Sequence, residues 1–81
     1  MTEMDERHKW YLYDLGFLLK EYALRAKADY DNHRGHDSES FYLGEFMAYS
    51  HVISVMQQQA KVFDIPLEDL RLADIDPDKD L

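Results

Sequence analysis

The stretch from Ser38 to Asp64, Ser-Glu-Ser-Phe-Tyr-Leu-Gly-Glu-Phe-Met-Ala-Tyr-Ser-His-Val-Ile-Ser-Val-Met-Gln-Gln-Gln-Ala-Lys-Val-Phe-Asp, limits what this chain can fold into. Stepped at about 100° per residue, Phe41, Ala48, Val52, Val55 and Val62 fall on one side of a helix. Tyr42, Phe46, Tyr49, Ile53, Met56 and Ala60 continue round from them. The apolar surface spans roughly 200°, against the ≳100° stripe usual for a surface helix. Ser50, His51, Ser54, Gln57, Gln58 and Lys61 form the narrower polar side, and no period-2 alternation supports a strand. Asp37 or Ser38 is the expected N-cap, with Glu39 suited to the first turn. Pro66 stops the helix because it disfavours helical geometry at Ile65 and lacks an N–H. A helix this broadly apolar needs at least two neighbours.

One neighbour precedes it. From about residue 8 to 31, Tyr11, Leu12, Leu15, Leu18, Leu19, Tyr22, Ala23, Ala26 and Tyr30 make a main stripe. Trp10, Tyr13, Phe17, Leu24 and Ala28 make a second, and polar seams separate the two. Gly16 lies mid-helix, at ~1 kcal/mol relative to Ala, where its missing β-carbon permits another backbone to approach closely. Residues 32–37, Asn-His-Arg-Gly-His-Asp, carry turn chemistry, with Gly35 free to take positive φ. So short a connection makes helices about 8–31 and 38–64 antiparallel neighbours. A short helix over about 66–71 follows Pro66, and residues 1–72 form the single domain. Residues 73–81 (Ala-Asp-Ile-Asp-Pro-Asp-Lys-Asp-Leu) read as an acidic mobile tail.

The main stripes are expected to close the hairpin, which leaves apolar surface over. Burying a large side chain is worth about 1.5–3 kcal/mol, so half a dozen left in water forfeit on the order of 10 kcal/mol, comparable to the stability of a small domain. A second copy of the chain relieves this in a C2 four-helix bundle. The expected contact residues are Trp10, Tyr13, Phe17, Leu24, Tyr42, Phe46, Tyr49 and Ile53. The fold class is therefore all-α: an antiparallel hairpin of two long helices plus a short C-terminal helix, dimerising into a four-helix bundle.

Charge and composition narrow the function classes. Seventeen Asp and Glu against nine Lys and Arg give a formal charge of −8, which repels nucleic-acid phosphates and anionic membranes and suits a basic partner. No cysteine is present to form a disulfide or bind metal as thiolate. The acidic start and the lack of a long apolar run point away from a signal peptide or a membrane span, and toward a cytoplasmic protein.

No motif specifies a reaction. Glu45, angularly among Phe41, Ala48, Val52 and Met56, is the oddest residue of the second helix. It reads as a possible buried polar site: an acid in a ligand pocket or, with the greater weight, a structural partner for a tyrosine, Lys20, Lys27 or Arg25 that sets bundle register. His33 and His36 in the turn lack the supporting ligands of a metal site, and His51 has no paired nucleophile. The alternating Asp74, Asp76, Asp78 and Asp80 fail as a calcium loop, since Lys79 stands where glycine is needed and the chain ends early. The six tyrosines suit core or interface, and Gln57, Gln58 and Gln59 a solvated helix end. The expectation is a non-catalytic interaction module, without metal or cofactor, that homodimerises. The alternative is a small regulatory or neutralising subunit of antitoxin, immunity or adaptor type that binds another protein. A ligand- or metal-binding bundle is weaker still.

Overall fold

The computed structural model describes residues 3–81, with side chains from Glu6 onward, and Met1 and Thr2 lie outside the described residues. It is an antiparallel hairpin of α1 (Glu3–Asn32) and α2 (Glu39–Val62), closed by the 3-10 turn Leu67–Leu70 and the one-turn α3 (Pro77–Asp80). No strand occurs among the described residues. Helix α1 starts earlier than expected because no glycine or proline interrupts the chain before Gly16.

The turn forms as its composition dictates. Gly35 takes φ 84°, and the amides of His33, His36 and Glu39 donate to the carbonyls of Tyr30, His33 and His36, each at 3.1 Å. Ser38 occupies the N-cap position of α2 without its hydroxyl capping the helix. Helix α2 ends at Val62, slightly before the expected Asp64. There Asp64 enters the left-handed region at φ 55°, and the Ile65 amide donates back to the Ala60 carbonyl at 2.8 Å. This is a Schellman ending with aspartate in the usual glycine position. Arg71, also at φ 55°, repeats the device after the 3-10 turn, with the Leu72 amide donating to the Leu67 carbonyl at 3.0 Å. These two left-handed residues turn the chain back along the hairpin.

The core lies where three segments meet. Ala23 of α1, Ile53 and Ala60 of α2, and Leu70, Leu72 and Ile75 of the C-terminal segment form one buried cluster. Half of that cluster comes from beyond the hairpin, and Leu72 is as fully enclosed as Ile53. Residues 73–81, expected as a mobile tail, therefore lie as a strap against the hairpin. The reason is local: Leu72 and Ile75 are three residues apart and enter the core side by side. The intervening acid is neutralised, with Asp74 accepting a 2.8 Å bond from Lys20. The remaining aspartates have structural tasks as well. The Asp76 carboxylate accepts from the Asp78 amide at 2.9 Å, and the Asp76 amide donates to Asp80 Oδ2 at 2.8 Å, a reciprocal cap for α3.

Gly16 is a contact point between α1 and the 3-10 turn. A β-carbon there would overlap the Leu70 carbonyl, its distance to the carbonyl carbon only 2.9 Å. The close backbone approach expected at this glycine is present, and its partner is the chain's own 3-10 turn.

Candidate interaction face

The strap divides the hairpin into two unlike sides. It covers one of them. On that side the Arg71 guanidinium lies over the rings of Tyr13 and Phe17, 5.1 and 4.4 Å from their centroids. Gln57 donates both amide hydrogens to the strap backbone, to Leu72 O at 3.1 Å and Ile75 O at 2.8 Å. Lys20 pairs with Asp74, and Lys27 Nζ donates to the Asp80 carbonyl at 3.1 Å. The Lys20 hydrogen bond, then its charge, holds the Asp74 carboxyl below the usual carboxylate value.

The other side is bare. Tyr11, Leu15, Leu18 and Tyr22 of α1 lie on the arc pointing away from the strap, and so do Phe41, Ala48, Val52, Val55 and Val62 of α2. In each helix this arc sits roughly 160–180° from the strap-facing arc, with the neighbouring helix between them. Because the helices are antiparallel, both arcs open on the same side and form one surface. Leu18 and Val52, near its middle, are each 38% exposed, and Val55 is 41% exposed. A row of aliphatic side chains this open is unusual on a small soluble monomer. The α1 row, and the α2 row once Glu45 and Gln59 are counted in it, alternate spacings of four and three residues, the pattern of a helix-packing seam.

The eight contact residues expected from sequence are distributed differently. Ile53 is fully enclosed inside the chain. Tyr42, Phe46 and Tyr49 turn toward α1, their rings 4.0 Å from His33, 5.8 Å from Tyr30 and 6.0 Å from Tyr22. Tyr13 and Phe17 lie under Arg71. Leu24 stands half-exposed beside the strap, and Trp10 is exposed with its edge against Tyr13. Of the stripe expected to await a partner, Ile53, Tyr13 and Phe17 are taken up by the chain itself, whereas Trp10 and Leu24 stay open. Part of the stripe expected to close the hairpin is instead the uncovered one.

Glu45 belongs to the bare face and is half-buried; no polar or charged side chain is fully buried among the described residues. Lys20, one of its expected partners, is held by Asp74 instead. His33 is a structural residue of the turn: its Nδ1 lies 2.7 Å from the Asp29 carbonyl, with its ring stacked on Tyr42. Among the described residues no three His, Asp or Glu side chains converge in metal-binding geometry, and no helix is long and apolar enough to cross a membrane. A depression lined by Arg7, Trp10, Tyr11, Asp14 and Leu18 runs along α1 alone and is open to solvent. Gln57 was missed as a strap clamp because an amide on a polar helix side carries no periodic signal.

Comparisons with protein families, with curated proteins and with solved structures gave no match to this chain.

Proposed function

We propose that the protein is a non-catalytic interaction module whose bare hairpin face binds a second copy of the chain, giving a four-helix bundle. The observation that carries this reading is the largely aliphatic and aromatic surface opposite the strap, interrupted on α2 by Glu45 and Gln59. Three quantities support it. The accessible surface is 5995 Å², where a compact folded monomer of this mass exposes about 5,100 Å². Helix α2 has 24 residues and is therefore about 36 Å long. A contact of that length across a molecule about 20 Å wide would bury about 700 Å² per copy, comparable with standard-sized interfaces.

The test is the concentration dependence of the thermal unfolding midpoint. A dimer gains stability by mass action, so the midpoint rises steadily over a hundredfold increase in protein concentration. A midpoint that stays constant overturns the reading.

The formal charge of −8 favours a second reading, a regulatory or neutralising subunit whose bare face covers a basic protein. It differs in requiring a monomer in isolation.

A further inference from the structure

Granting that the bare face binds a second copy, we infer that α2 packs antiparallel against α2 of that copy about Val52, with Glu45 hydrogen-bonded to Gln59 of the second copy. The outward row of α2 is Phe41, Glu45, Ala48, Val52, Val55, Gln59 and Val62. Read from either end it runs apolar, polar, then three apolar, polar, apolar. Its two polar members stand seven residues on either side of Val52. A two-fold axis through Val52 therefore sets Val52 on its own copy, Ala48 on Val55 and Phe41 on Val62. It also brings the Glu45 carboxylate, an acceptor, to the Gln59 amide, a donor, twice. A polar pair of this kind in an apolar seam fixes register, since a slip of one turn leaves all four groups opposite apolar chains.

The other two-fold arrangement has its axis along the helices and stacks α2 on α1 of the second copy. The hairpin's own register disfavours it. The ring pairs Tyr49–Tyr22 and Phe46–Tyr30 set Glu45 of one copy level with residues 26–31 of α1, where Asp29 lies on the same side with Arg25 just beyond, and the Glu45–Gln59 pairing is lost. Like charges at a closing interface are strongly disfavoured. The α2-on-α2 arrangement has no such conflict and brings Tyr22 beside its own counterpart.

The chain has no cysteine, so single substitutions report geometry cleanly. Val52→Cys places two thiols at the axis, and mild oxidation is expected to convert most of the protein to a linked dimer of unchanged helicity. A mixture of Val52→Cys and Tyr22→Cys chains should yield no mixed link by mass spectrometry. Gln59→Glu sets acid against acid and weakens the dimer at least about tenfold, and adding Glu45→Gln in the same chain restores it. A dimer of normal molar mass that links Val52→Cys to Tyr22→Cys, or that Glu45→Gln fails to rescue, overturns the register and leaves dimerisation standing. A sample monomeric at every concentration overturns both.

Discussion

The two broad sides of this hairpin are similarly apolar in sequence and differ in how they are closed. The strap side mixes rings with long polar side chains, and each polar group has a partner on the strap: Lys20 with Asp74, Lys27 with the Asp80 carbonyl, Gln57 with two backbone carbonyls. An irregular segment carries backbone groups that need such partners. The bare side is a four-and-three row of mostly Leu, Val, Ala and aromatic residues, with Glu45 and Gln59 as the polar members of the α2 row, and it offers little to an irregular backbone. It suits another helix. The hairpin thus has one side closed by residues 71–81 and the other left open.

Neighbouring residues separate the two sides most sharply. Ile53→Ala and Leu72→Ala empty the core where hairpin and strap meet and should each lower the unfolding free energy by about 2–5 kcal/mol, at every protein concentration, in urea titrations. Gly16→Ala comes next. It gains ~1 kcal/mol in helix propensity but drives a methyl into the Leu70 carbonyl, for a net loss of about 1–3 kcal/mol. Faster amide exchange over residues 67–76 than in α2 would locate that damage in the strap. Val52→Ala, one residue from Ile53, should have a loss that grows with concentration and falls to within about 0.5 kcal/mol in dilute monomer, the range of an ordinary surface change. A loss for Val52→Ala as large as that for Ile53→Ala under dilute conditions would erase the distinction between the sides.

The smallest effect concerns Asp74. Its carboxyl is held below the ordinary value by Lys20, so its contribution is present at neutral pH and lost as the pH falls through the folded-state pKa. Asp74→Asn should be slightly less stable than the parent at pH 7, with the difference vanishing in acid. A difference that persists unchanged at low pH would mean the ion pair does not anchor the strap.

Much of this architecture was legible in the chain. Periodicity gives both long helices, Gly35 and its neighbours give the turn, and Gly16 announces a close backbone contact. The strap was hidden for a physical reason. Leu72 and Ile75 are two large apolar residues at the start of an aspartate-rich segment, and two positions make no periodic pattern. Their burial depends on Arg71 turning the chain through a left-handed conformation that arginine does not advertise. The allocation of faces was hidden with it. Both helices are apolar over most of their circumference, and the choice between Phe17 and Leu18 as inward-looking residue is made by where the strap lies. Glu45 was recognisable as the odd residue of its row, whereas Gln59 read only as one of three glutamines at a solvated helix end.

Molar mass by light scattering on a sizing column, for the parent and Val52→Asp side by side, tests the bare face most directly. The account predicts a helical parent at twice the 9.7 kDa chain mass and a variant that is monomeric with its helicity intact. A parent that elutes as a monomer at every concentration, or a Val52→Asp chain that remains a dimer, would contradict it.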